Sequence, residues 1–268
     1  MIARSKWSKN RIHKKVNKLE LLELGGRMKN SILVLFLLVL LFTSSCSNKL
    51  SNEVRNCPDA IIDYVHAIKW NDISYNANYE SDTSQLQKGN KVGEVGYMLS
   101  GDACSGYRMK NGDATLLPKG TEIFEVKGYR SDFRLMAGEH LYEADNNPKA
   151  TKVADIYDIS GRVVKVSFES TIDGSHISDF TLDASKAFID EYLGLDYVGM
   201  EEVYKKKTGD NRTFLRIHLK DGTSLRVVYW VDDNMITPGA FTTERMNHIV
   251  NRERAAIKRD EAKSIVQS

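Results

Sequence analysis

Hydrophobic and polar positions follow three different rhythms along this chain of 268 residues. The first is an unbroken apolar run, Ile32 to Phe42. The second, from about residue 57 to 150, is a series of short alternating segments cut by turn residues. Ala67-Ile68-Lys69-Trp70, then Asn71-Asp72, then Ile73-Ser74-Tyr75 predicts a tight hairpin, because Asn and Asp tolerate the positive φ of a primed turn. Val92 to Leu99 predicts a strand, and Asn111-Gly112-Asp113 and Pro118-Lys119-Gly120 predict turns. Thr121 to Val126 alternates with period two, setting Ile123 on one face and Phe124 and Val126 on the other. Phe133 to Ala137 and His140 to Glu143, separated by Gly138-Glu139, predict another hairpin.

The third rhythm begins after Asn147-Pro148. Gly161 to Phe168 reads as a strand. Ala184 to Leu193 reads as a helix with Asp183 as its N-cap and Gly194 as its stop, carrying Phe188, Ile189 and Tyr192 on one stripe. Tyr197 to Lys206, Thr213 to Lys220 and Thr223 to Val231 read as strands. From Thr242 onward the pattern is helical and highly charged, with Met246, Ile249, Val250 and Ile257 as a thin apolar stripe. The expected fold class is therefore α+β: a β-rich part of hairpins over 57–150, then an α+β part over 151–268 with an antiparallel sheet and two helices, ending in the charged helix.

The hairpin at 213–231 can be read in finer detail. Gly222 in the left-handed position of a three-residue loop, Lys220-Asp221-Gly222, pairs Leu219 with Thr223. Ile217 then lies opposite Leu225 and Leu215 opposite Val227, a coherent core face. A two-residue loop would instead set Ile217 against Arg226. The favoured register has a cost on the other face: Arg216 lies directly opposite Arg226, with His218 beside them. Like charges so placed repel, so an acidic group is expected there. It is an internal carboxylate, such as Asp190 or Glu191, or an anionic ligand such as a phosphate or a wall polymer; screening of the pair by solvent alone is the remaining alternative. Arg216, His218 and Arg226 are thus the candidate anion-binding residues.

The run at 32–42 changes the picture of the whole protein. A helix of eleven residues is about 16 Å long, half a hydrocarbon core, which argues against a stable membrane span. Lys29 before it and the small Ser44 and Ser45 after it give the layout of a secretory signal. Cys46 directly after those small residues resembles the lipobox of bacterial lipoproteins, with Thr43 standing where that family usually has Leu. The resemblance implies that residues 1–45 are removed as a signal peptide, that Cys46 is diacylated, and that residues 46–56 are a tether between lipid and domain. An ordinary cleaved signal with an incidental cysteine, or a short membrane anchor, is the alternative. The basic stretch before Met28 suits a signal poorly, and translation is expected to begin at Met28, because Gly25-Gly26-Arg27 can be encoded with a ribosome-binding purine run.

Removing the signal reverses the charge. The chain carries a formal +2, but residues 1–45 hold 9 Lys/Arg and 2 Asp/Glu, leaving 29 and 34 in the remainder, a net −5. Compositional support for nucleic-acid binding disappears. With Cys46 assigned to lipid, Cys57 and Cys104 form an even pair in an exported chain, and a disulfide between them is expected; two free thiols are the alternative.

The segments Ile68 to Tyr75, Asn111 to Ala114 and Leu117 to Tyr129 are similar to a stretch recurring in uncharacterised surface lipoproteins of Bacillus-type bacteria. That resemblance implies a Gram-positive, extracytoplasmic, lipid-anchored protein and carries no established activity. No catalytic residue is identified: there is no nucleophile elbow or phosphate-cradling glycine loop, and no histidine pair at metal-ligand spacing. Cys104 before Ser105-Gly106 is better placed as a disulfide partner than as a nucleophile. Trp70, Tyr75, Tyr97 and Tyr107 read as sheet aromatics, with a ligand-binding face as the alternative. No cofactor, metal or nucleic-acid partner is expected. The functional expectation is a non-enzymatic lipoprotein of the cell membrane that binds a ligand or partner of the wall or envelope. The alternatives are an envelope hydrolase with a site dispersed in sequence, and a structural wall- or spore-associated component.

Overall fold

The computed structural model describes residues 65–266, with side chains through residue 257. The expected signal segment over 1–45, Cys46, the expected tether and Cys57 lie outside the described residues. Those described all belong to one compact unit spanning Cys57–Ser268. The fold is α+β with strands dominating, with two sheets and four helices among the described residues. Among the described residues no helix is long and apolar enough to cross a membrane.

The first sheet uses eight strands: β1 (Ala67–Trp70), β2 (Ile73–Asn78), β3 (Lys88–Glu94), β4 (Tyr97–Met98), β5 (Asp113–Ala114), β6 (Glu122–Val126), β7 (Arg134–Ala137) and β8 (His140–Asn146). Their order is β3-β6-β7-β8-β2-β1-β5-β4, antiparallel except for the β4–β5 pair. The β1–β2 turn has the predicted chemistry, with Asn71 at φ 50 and Asp72 at φ 67. Ile123 enters the main core of this sheet, while Val126 and Phe124 pack with Met136 and Leu141 on the other face, as the alternation requires. The strand expected over Val92 to Leu99 is interrupted between β3 and β4. The indole of Trp70 closes directly over Gly93, where a Cβ would sit 2.1 Å from the ring.

The second sheet, wholly antiparallel, uses β9 (Val163–Glu169), β10 (His176–Asp179), β11 (Arg212–Leu219), β12 (Ser224–Trp230), β13 (Met235–Ile236) and β14 (Ala240–Phe241), in the order β10-β9-β11-β12-β13-β14. The helices are α1 (Val153–Ile156), α2 (Leu182–Gly194), α3 (Met200–Tyr204) and α4 (Glu244–Val266). Phe188, Ile189 and Tyr192 of α2, and Met246, Ile249 and Val250 of α4, bury one face of this sheet together with Leu215, Ile217, Leu225 and Val227. The two-helix expectation thus finds both long helices and misses two short ones. At α2 the cap is Thr181, whose hydroxyl accepts from the Ala184 amide, rather than Asp183. Asp183 instead lies in the first turn, where its charge suits the helix dipole, and Gly194 is the last helical residue.

The strand expected over Tyr197 to Lys206 is also corrected. Tyr197 makes a single bridge to Ala240, and the amides of Val198 and Gly199 both donate to the Gly239 carbonyl. Gly199 then turns at φ 85 and the chain coils into α3, because Met200 and Val203 pack together at helical spacing beside Trp230. Between the sheets stands α1. Its Val153 belongs to the core under the second sheet and its Ile156, one turn on, to the core of the first. Tyr157 packs against both. This junction positions the candidate site.

Candidate functional site

A cleft of about 330 Å³ opens where the two sheets meet. The end of β2 and the loop beyond it supply Asn76, Asn78, Tyr79 and Glu80; β8 supplies Glu143 and Asp145; Tyr157 follows α1; and the β11–β12 hairpin supplies Arg216, Leu225 and Arg226. One side is therefore acidic and amide-rich, and the other carries guanidinium groups.

The arginine wall follows from the hairpin register. Leu215 faces Val227, Ile217 faces Leu225 and Arg216 faces Arg226, as expected from the three-residue loop with Gly222 at φ 84. Alternation turns both arginines away from the helix-covered core. The acid expected between them comes from Glu169 on β9 and Glu80 after β2. Asp190 and Glu191 lie instead on α2, which packs on the other face of the sheet, and Glu191 binds Thr243 and Arg245 there. Arg216 donates from Nε to Glu169 and from an η nitrogen to Glu80, while Arg226 reaches Glu169 and Glu80 at 2.9 Å each. Arg216 also donates to the Ser224 hydroxyl at 2.9 Å. Two bases and two acids close into a ring. Burial alone would raise the Glu169 pKa, but the bonds from Arg216 and Arg226 outweigh it and hold the carboxyl below its ordinary value.

The acidic wall is held from behind by a fully buried arginine. Arg134 donates to Glu143 at 2.9 and 2.5 Å and to Asp221 at 3.3 Å, with Tyr129 and Phe133 rings 4.5 and 4.8 Å from its guanidinium carbon. Tyr129 also donates to Asp221. Asn78 donates to Glu143 and to the Ser224 carbonyl, so the same amide ties β8 to the second sheet. Desolvation raises the Glu143 pKa even though Arg134 and Asn78 favour its charged form.

Asp145 owes its position to a β-bulge. Tyr75 pairs with Ala144 and Ser74 with Asn146, leaving Asp145 as the extra residue of β8. Such a bulge bends the strand and re-aims a side chain, and bulges are over-represented beside functional sites. Asp145 remains open to water at the mouth of the cleft, yet the surrounding walls desolvate it. Its pKa is raised, with only Asn76 bonding against that trend. Tyr157, beside both carboxyls, has a hydroxyl pKa pushed well up by burial and then by Asp145 and Glu143.

Of the three residues singled out from sequence, Arg216 and Arg226 meet in the cleft, while His218 bonds Ser167 at 2.8 Å and is not part of the lining. Desolvation, then Lys165 and Arg216, lower the His218 pKa. Cys104 is disulfide-bonded, and both of the chain's other cysteines lie outside the described residues. The aromatics form no common face: Tyr75 is core, donating to the Ser131 carbonyl, whereas Tyr97 and Tyr107 pair at 5.3 Å. His66, Tyr79 and His140 cluster edge to face at 5.0 to 5.9 Å. Among the described residues no group of three or more His, Cys, Asp or Glu is arranged to hold a metal.

Sequence reasoning missed Glu143, Asp145 and Arg134. The register logic used for β11–β12 would have found Arg134 and Glu143: with Gly138-Glu139 as the loop, Ala137 pairs with His140 and Arg134 lands opposite Glu143. No family model matches the chain, and no curated protein or solved structure matches it either.

Proposed function

We propose that this protein is an exported lipoprotein, anchored to the extracytoplasmic face of the cell membrane through lipid on Cys46, that binds a ligand or partner of the envelope without transforming it. The observation that carries the binding role is the cleft between the sheets, a concave polar site assembled from four separate stretches of sequence. The ordered apolar run, small residues and Cys46 support the anchoring. Two independent tests apply. Replacing Cys46 by Ser in the full chain is expected to release the protein from the membrane fraction, and unchanged membrane association would contradict the anchor. For the binding role, purified envelope material should compete for the cleft in the wild type and lose that competition in the Asn76→Ala/Asp145→Asn double variant; equal capture by both would contradict it.

One feature supports a second reading, an envelope hydrolase. Glu143 and Asp145 both have raised pKa values in one cleft, which suits a general acid. The Arg134 and Asn78 bonds to Glu143 weigh against it, since they hold that carboxylate in a structural role. Turnover of wall polymer abolished by Asp145→Asn would favour the hydrolase.

A further inference from the structure

The charges around the cleft do not cancel. On the arginine wall Arg216 and Arg226 face Glu169 and Glu80, two bases for two acids, with every carboxylate bonded. On the other wall Arg134 alone answers both Glu143 and Asp221. Asp145 has no cationic partner among the described contacts, only the Asn76 amide. With all groups ionised the site therefore carries a surplus of about two negative charges, a field that attracts cations and repels anions. An anion entering from the arginine side would find the guanidinium forks already filled by carboxylates.

We propose that the cleft binds a small organic cation bearing an ammonium group, with Asp145 as its counter-ion and Tyr79 and Tyr157 as aromatic surface beside it. This rests on the reading of the cleft as a binding site and names the class of ligand it takes. The bulge in β8 presents the one carboxylate of the site that no base engages. The cleft, about 330 Å³, is at the small end of ligand pockets and suits one amine-bearing sugar or amino-acid-sized molecule. Asn76 supplies an amide for the remaining polar atoms, while Ala77, Ala144 and Leu225 offer apolar contact. An ammonium ion next to Asp145 replaces solvation that the walls remove, and aromatic faces add attraction for a desolvated cation.

The test is calorimetric titration of the full-length protein in detergent with choline, L-lysine, glucosamine, N-acetylglucosamine and inorganic phosphate. At least one of the three ammonium compounds is expected to bind, more weakly at higher salt, and N-acetylglucosamine, which lacks the charge, to bind far less than glucosamine. Asp145→Asn should weaken the bound cation at least about tenfold, as loss of a charge-assisted contact predicts. A thermal melt of the same variant checks that it is folded. If it is not, Asp145→Glu, which keeps the charge, must retain binding, and wild-type affinity must fall as acid protonates the site. Binding of phosphate in place of the cations, binding of none of the three, or cation binding indifferent to Asp145→Asn overturns the proposal. Glucosamine and N-acetylglucosamine binding equally, both lost in the Asn76→Ala/Asp145→Asn double variant, would overturn the cation and leave the cleft a binding site. Envelope material binding independently of that double variant would remove the binding reading itself.

Discussion

The two walls of the cleft use the same residue types and reach opposite electrostatic states. On the β11–β12 side, arginines that repel across a strand pair are drawn together by Glu169 and Glu80 into a closed, neutral ring. On the β7–β8 side, a buried arginine faces two carboxylates, and a third carboxylate stands on a bulge without a base. The first arrangement resembles structure made safe. The second leaves one carboxylate, Asp145, without a base among the described contacts, as a site prepared for a ligand would.

That contrast can be broken from either side. The largest expected effect is at Arg134: Arg134→Gln leaves Glu143 and Asp221 without their buried base and should cost about 4 kcal/mol in urea unfolding. Glu169→Gln opens the arginine ring and should cost less, about 2 kcal/mol, because Arg226 keeps a third of its side chain in water (33%) and Glu80 still bridges. If the two losses were equal, the walls would not differ as described.

The pH dependence should sort the carboxylates by sign, Glu169 and Asp221 against Glu143 and Asp145. Glu169 and Asp221 have lowered folded pKa values, so their contribution is present above the unfolded carboxylate value of about 4 and is lost as pH falls through the lowered ones. Glu143 and Asp145 have raised values, so their contribution is complete below about 4 and is lost as pH rises through the raised ones. Urea melts across pH should accordingly show Glu169→Gln weakening the protein most at neutral pH and little in strong acid. Asp145→Asn is the smallest effect and runs the other way. It should raise the melting temperature slightly at neutral pH and leave it unchanged in acid, while removing ligand binding. A fall in stability at neutral pH would mean that Asp145 serves the fold.

How far each wall is legible in sequence depends on how local its pairing is. Arg216 and Arg226 are joined by one short loop, so turn chemistry and alternating hydrophobicity fix their opposition. The same reasoning reaches Arg134 and Glu143 across Gly138-Glu139. Glu80 is different: it lies 136 residues from Arg216, and no periodicity links the loop after β2 to β11. Glu169 ends a strand whose partner β11, which carries Arg216, comes more than forty residues later. Asp145 is the hardest, because its bulge exists only once β8 is registered against β2. The long helices announce themselves by their apolar stripes, whereas α1 and α3 are too short to show one, and the approach of Gly199 to Gly239 that turns the chain into α3 is a tertiary event.

The central claim is that Asp145, set on the bulge without a base among the described contacts, is the counter-ion of a bound cation. NMR titration of carbon-13-labelled aspartate carboxyls tests it most directly, with the Asp145 signal assigned through Asp145→Asn. The account predicts a pKa above the ordinary aspartate range in the free protein and a clear drop when the bound ammonium compound is added. An Asp145 pKa at or below the ordinary value, unmoved by any of those cations, would contradict it.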